Sequence, residues 1–151
     1  MDLHIRKALS EDLPNILQLY RQPSVDNGDV LSPDEALRIF NRMKEYPDYA
    51  VYIAEMDGGI VGTFALAIMN NLAHKGMPSG LIEDVVVTER FQGQGIGTAM
   101  MRQAIRICRE KGCYKAMLSS NIKRENAHRF YESIGFKIHG FSFLIDCNQE
   151  E

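Results

Sequence analysis

Apolar and polar positions follow two periods along this chain, and the switches between them mark out its elements. Leu3 to Ala8 alternates closely enough to predict a first strand. Ser10 stands where it can cap a helix over Asp12 to Tyr20, with Pro14 tolerated in the first turn. A polar loop follows, from Arg21 to Asp29. Ser32-Pro33-Asp34-Glu35 then joins a cap, a proline at the first helical position and a glutamate at the third, so a helix is expected to about Glu45. Ala50 to Met56 and Ile60 to Met69 flank Asp57-Gly58-Gly59 and predict a hairpin. After a loop from Asn70 to Gly80 comes the apolar strand Leu81 to Val87. A glycine-rich turn from Arg90 to Thr98 opens a helix to about Lys111, with Met101, Ala104, Ile105 and Cys108 as its buried stripe and Gly112 as its stop. Ala116 to Leu118 begins another strand. Ala127, Phe130, Tyr131 and Ile134 recur at i, i+3, i+4, i+7, a short amphipathic helix ended by Gly135. Phe141 to Ile145 reads as a closing strand.

The order β-α-α-β-β-β-α-β-α-β predicts an α/β (α+β) architecture: one domain over residues 1–151, its mixed, mostly antiparallel central sheet flanked by about four helices. Length agrees, since 151 residues suffice for one proper core.

The chemistry concentrates in Gln92-Gly93-Gln94-Gly95-Ile96-Gly97-Thr98, which sits at a strand-to-helix turn. Glycines there let main chain approach a bulky anion and adopt positive φ. The helix that follows adds unpaired N–H groups and the positive end of its dipole. The expected ligand is a pyrophosphate. A dinucleotide fingerprint needs glycine where this chain has Thr98 or Met100, and a triphosphate loop needs a Gly-Lys-Ser/Thr ending that is missing.

The spacing Gln92-x-x-Gly95-x-Gly97 resembles the pyrophosphate turn of the GNAT N-acetyltransferases. Phe130-Tyr131 followed by Gly135-Phe136 and a final strand is similar to that family's second signature, and the order of glycine turn, helix, strand, Phe-Tyr helix and Gly-Phe covers residues 80 to 146. The resemblance implies acetyl-coenzyme A as co-substrate and a splay between two central strands that receives the pantetheine arm. It implies that Gln92, Gly93, Gln94, Gly95, Ile96, Gly97 and Thr98 hold the pyrophosphate. Val85, Val86 and Val87 would offer main-chain hydrogen bonds to pantetheine and thioester. Asn126 is a further coenzyme contact, although many members place that asparagine where this chain has Arg124.

Amine acetylation needs a neutral amine, a stabilised oxyanion and a discharged thiolate. Strand alternation puts Glu83, Val85 and Val87 on one face and Asp84 and Val86 on the other. Two carboxylates in an apolar strand are costly unless each is paired or functional. Glu83 matches a family position facing the substrate and is expected to bind or deprotonate the amine. Asp84 reads more readily as structural. Tyr131 matches the family tyrosine that hydrogen-bonds or protonates the departing thiolate, a feasible direction for a phenol near ~10 and a thiol near ~8.5. His128 and Arg129 could line a substrate mouth, and Lys123-Arg124 could meet phosphate; solvated helix charges are the alternative for both.

The expected activity is acetyl transfer to a primary amine of a small molecule, directly within a ternary complex. The alternatives are a peptide or protein N-acetyltransferase and a non-catalytic acetyl-coenzyme A sensor. Two branches resemble the chain more closely. Ile82 to Val87 and Gly112-Cys113-Tyr114-Lys115 are similar to glucosamine-6-phosphate acetyltransferases, but Ser119 replaces that branch's usual acid. Leu118 to Arg124 and Ala127 to Tyr131 are similar to bacterial aminoalkylphosphonate acetyltransferases.

Composition narrows the partners. A net charge of −3 gives no electrostatic case for nucleic acid or an anionic membrane. No apolar run approaches the ~20 residues of a spanning helix, and Met1 to Lys7 lacks the apolar core of a signal peptide. Cys108, Cys113 and Cys147 form no C-x-x-C and cannot all pair, so a reducing, cytoplasmic setting is expected. The four histidines have no metal-ligand spacing, and no metal is expected. The apolar edge offered by Phe141 to Ile145 predicts a homodimer.

Overall fold

The computed structural model describes residues 2–148 of the protein. Five strands form one sheet in the order β1-β2-β3-β4-β5, namely β1 Leu3–Lys7, β2 Tyr49–Met56, β3 Gly59–Met69, β4 Ser79–Val87 and β5 Lys115–Met117. Every junction is antiparallel except the parallel pair β4–β5. The helices are α1 Leu13–Tyr20, α2 Pro33–Met43, α3 Ile96–Glu110 and α4 Glu125–Ile134. Contacts gather into two units, one through Leu118 that holds the sheet with α1 to α3, and one from Ser119 that holds α4.

The local chemistry explains these boundaries. Ser32 Oγ accepts the Glu35 N–H at 3.3 Å and donates to Glu35 Oε1 at 2.8 Å, so α2 starts at Pro33. At α1 the cap is not Ser10. Residues Ser10–Asp12 wind into a 3₁₀ turn, and Asp12 Oδ2 instead accepts the Leu9 N–H at 2.7 Å. Asp57 and Gly58, at φ 51° and 78°, form the two-residue hairpin between β2 and β3.

Both faces of the sheet are covered. Ala8, Leu13, Ile16, Leu17, Ala36, Phe40 and Ile53 make the core between the sheet and α1 with α2. On the other face, α3 lies close because glycine meets it: a Cβ on Gly80 would overlap Cys108 Sγ, and one on Gly62 would come within 2.6 Å of Met100 Sδ.

The closing strand is not formed. Phe141–Ile145 carries no strand, and Phe141, Phe143, Leu144 and Ile145 are 91, 92, 91 and 84% exposed. Alternating apolar residues make a strand only where a ladder accepts their N–H and C=O groups. The unit from Ser119 offers one helix and no strand among its described residues.

Arg6 ties the first strand to the start of α1. Its guanidinium grips Asp12 bidentately at 2.8 and 3.0 Å and reaches Glu55 at 2.9 and 3.3 Å. Hydrogen bonds from Arg6 hold both carboxyls below the usual carboxylate range. Stability carried by depressed carboxyls is present above their unfolded pKa and lost as pH falls through the folded value. Arg6→Met should therefore cost about 1–2 kcal/mol at pH 7, with the difference from wild type shrinking below about pH 4, read by urea unfolding across pH.

Candidate active site

β4 keeps β5 only briefly. Ser79, Gly80 and Leu81 pair with Lys115, Ala116 and Met117, and no later residue of β4 has a partner on that side. Because β5 ends at Met117, the β4 edge beyond Leu81 has no strand beside it among the described residues. Thr88 N–H bonds Val61 O at 2.9 Å toward β3, so the neighbouring Val87 groups, and by alternation those of Val85, point to the open edge.

A bulge lies just ahead of these groups. Ala65 pairs with Glu83 and Thr63 with Val86, so three steps on β4 match two on β3. Asp84 takes up the extra step at φ 53°. Unbroken alternation across this strand is thus corrected: Val86 shares the α1 side with Glu83, while Val87 pairs with Gly62 on the α3 side. Val86 is buried, Val85 and Val87 half-buried.

Glu83 and Asp84 are both solvent-accessible. Around them stand Tyr20 from α1, Tyr49 from β2 and Asp26 from the loop after α1. Burial pushes the Tyr20 and Tyr49 phenols up, and the charge of Asp84 adds to both, that of Glu83 to Tyr49. Burial and the charge of Asp26 push the Asp84 carboxyl up. The bulge at Asp84 has no glycine to announce it in the sequence.

The glycine turn follows the open edge directly. Gly93 and Gly95 sit at φ 77° and 85°, with open space where a Cβ would stand, so backbone conformation selects glycine there. Gly95 begins α3 with no side-chain cap, and Ala99 is the first residue to bond back, to Gly95 O at 3.1 Å. The N–H groups of Ile96, Gly97 and Thr98 therefore have no helical acceptor. Ile96 buries its side chain, Gly97 and Thr98 are half-buried, and Gln92, Gly93, Gln94 and Gly95 are exposed. These amides and a 15-residue helix dipole fit a diphosphate.

Gln92 acts inside the turn as well, its Nε2 donating to Val87 O at 3.2 Å. Gln22 donates to the same carbonyl at 3.4 Å, and its Oε1 accepts the Glu89 N–H at 2.9 Å. Its carboxamide thus pairs with the strand end as a neighbouring strand would. Nothing in the sequence around Gln22 signals this contact.

In the unit from Ser119, Tyr131 is buried beside Phe130 and Phe136, with ring centroids 5.2 and 5.8 Å away. Burial pushes its phenol up, with Arg124 opposing. Asn126 is exposed, and its Oδ1 accepts from Arg129. His128 Nε2 lies 2.8 Å from Asn121 O. Ser120 Oγ is buried without a hydrogen-bond partner.

Burial pushes the Cys108 thiol up to about 12 and raises Cys113 too, leaving little thiolate at neutral pH. Among the described residues no group of three or more His, Cys, Asp or Glu could hold a metal ion. No described helix is long and apolar enough to cross a membrane.

Comparison with known proteins agrees with this geometry. Residues 13–136 match the model of the acetyltransferase (GNAT) family. The chain is 38% identical over 147 residues to a glucosamine 6-phosphate N-acetyltransferase of Trypanosoma brucei brucei, covering 97% of each. It is 35% identical over 97 residues to an aminoalkylphosphonate N-acetyltransferase of Salmonella typhimurium, covering 64% of this chain and 62% of that one. The crystal structure of glucosamine-6-phosphate N-acetyltransferase from Arabidopsis thaliana superposes with a TM-score of 0.86 at 25% identity, covering 98% of this chain and all of that one. With an open strand edge leading into a glycine-lined helix start, and a family match over most of its length, the chain belongs to the GNAT acetyltransferases.

Proposed function

We propose that this protein transfers the acetyl group of acetyl-coenzyme A to the primary amine of a small phosphorylated or phosphonylated molecule, with an amino-sugar phosphate as first choice. The observation that carries the reading is the β4 edge left open beyond Leu81, running straight into the Gly93–Thr98 turn. A coenzyme laid there meets peptide groups of Val85 and Val87 along its arm and bare amides at its diphosphate. Near-complete coverage by the trypanosomal relative favours the amino-sugar phosphate, while Ser119, bonded to Ser142 at 3.3 Å, departs from that branch's usual acid.

The coenzyme brings an acetyl thioester; the remaining work falls to this chain. Glu83, exposed on the α1 side of β4, receives the acceptor's ammonium. Transfer is direct, because the thiol of Cys108 is buried and held protonated. The family resemblance gives Tyr131 the role of proton donor to the departing thiolate, and burial keeps its phenol protonated at neutral pH. Free cysteines at 108, 113 and 147 suit a reducing cytoplasm. We assign a second copy of the chain to the apolar residues exposed between Phe141 and Ile145, which suit an interface better than water.

Thiol release from acetyl-coenzyme A should be fastest with glucosamine 6-phosphate, slower with an aminoalkylphosphonate and slowest with a lysine peptide. Coenzyme binding without release on any amine would instead mark a sensor. Gly95→Ala should cost roughly 1–2 kcal/mol of stability by urea unfolding, since an L-residue at positive φ is strained. Tyr131→Phe should lower kcat about 10- to 100-fold with coenzyme affinity nearly intact; equal loss of binding would make the residue structural. Sedimentation should give a dimer that Phe141→Asp with Phe143→Asp converts to monomer, and a wild-type monomer at high concentration would refute the interface.

A further inference from the structure

The loop after α1, residues 21–29, is exposed except for Gln22, which is half-buried. Its main-chain bonds stay local. Gln22 O accepts the Val25 and Asn27 N–H groups at 3.0 and 3.3 Å, and the Asp26 N–H bonds Tyr20 O at 3.0 Å. Among the described residues, only the Gln22 side chain hydrogen-bonds this loop to the sheet and the turn that follows it. One residue thus does two things: its carbonyl gathers the loop, and its carboxamide fastens it. The loop borders the carboxylates of β4, since Asp26 is near enough for its charge to act on Asp84, beside Glu83.

The far side of this joint is the strand end that leads into the glycine turn. Thr88 gives the 3₁₀ turn Glu89–Phe91 no side-chain cap, and Gln22 Oε1 takes the Glu89 N–H at 2.9 Å in its place. The Val87 carbonyl accepts Gln22 Nε2 at 3.4 Å and Gln92 Nε2 at 3.2 Å, which fills both of its lone pairs. Gln92 is itself the first residue of the Gln92–Thr98 turn. Loop, strand end and turn therefore meet at two peptide groups. The joint is solvent-accessible, and its longer bond exceeds the usual ~2.7–3.2 Å. A joint of that kind is weak alone and tightens when either side is fixed by something else.

We infer that Gln22 is a positioning residue that couples the two substrates: its carboxamide ties the loop after α1 to the strand end that meets the coenzyme, so each ligand strengthens binding of the other. This rests on the acetyl-transfer reading above. A coenzyme along Val85, Val87 and the glycine turn fixes one side of the joint. The loop fastened to it then has less freedom left to lose when an amine settles beside Glu83. Linkage makes the gain equal in both directions. No bond of the reaction forms or breaks at Gln22.

Coenzyme A carries no acetyl group, so its complex with glucosamine 6-phosphate is a dead end that calorimetry can measure. Wild type should bind the sugar phosphate about 5- to 10-fold tighter when coenzyme A saturates, and coenzyme A tighter by the same factor when the sugar phosphate saturates. Gln22→Ala should bring that factor to about 1. Gln22→Glu keeps an oxygen for the Glu89 N–H and loses the donor to Val87, so its factor should fall between the two. A purely structural residue would weaken both ligands and leave the factor alone. A wild-type factor of 1 or below overturns the inference, and so does a wild-type factor retained in either variant.

Amide hydrogen exchange reads the same joint with coenzyme A as the sole ligand. Binding should slow exchange at Val25, Asp26 and Asn27 in wild type and leave it unchanged in Gln22→Ala, while Ile96, Gly97 and Thr98 become protected in both. Equal slowing of the loop in the two proteins overturns the inference and leaves the acetyl-transfer reading standing. A wild type that binds coenzyme A but acetylates no amine overturns that reading, and the inference with it.

Discussion

Between Glu83 and Val86, β4 takes three steps where β3 takes two, and the whole candidate site is arranged around that mismatch. An antiparallel ladder forces each residue to face either its neighbour or away. By inserting one residue, the chain re-aims every group after Asp84 without moving the strand out of the sheet. The same strand loses its β5 partner after Leu81, so the re-aimed peptide groups meet side chains such as Gln22 and Gln92 instead of another strand. An edge of this kind ordinarily invites unwanted pairing. In this protein it leads to a glycine turn and an uncapped helix start.

The electrostatics divide along that strand. At its end, beyond Val87, lie unpaired N–H groups and the positive pole of α3, which favour anions. Upstream, on the α1 side, lie Glu83, Asp84 and Asp26, which favour cations. Negative and positive charge are thereby favoured at opposite ends of a few residues. Gln22 links the two regions, since it leaves the loop that carries Asp26 and bonds the strand end at Val87 and Glu89.

Much of this was legible from residue order, because the signals were local. The cap at Ser32, the Asp57-Gly58 turn, the glycine stops at Gly112 and Gly135 and the Gln92–Thr98 turn each declare themselves within a few residues. What escaped depends on partners distant in sequence. The bulge at Asp84 is a property of the β3–β4 pair, and side-chain alternation along one strand cannot see it. Gln22 meets a carbonyl 65 residues away. Asp12 displaces Ser10 at the first helix because Arg6 on the adjacent strand draws its carboxylate into place. Phe141–Ile145 has the composition of a strand and no ladder to complete it.

That last segment has a consequence for how the protein must be kept in a crowded cell. Phe-Ser-Phe-Leu-Ile is short, uncharged, free of proline and rich in strand-forming side chains, the signature of a cross-β seed. Lys137 and Asp146 bracket it as charged gatekeepers, slowing the stacking of one molecule's ribbon on the next. Without those flanking charges the exposed segment would keep only the composition that favours cross-β stacking.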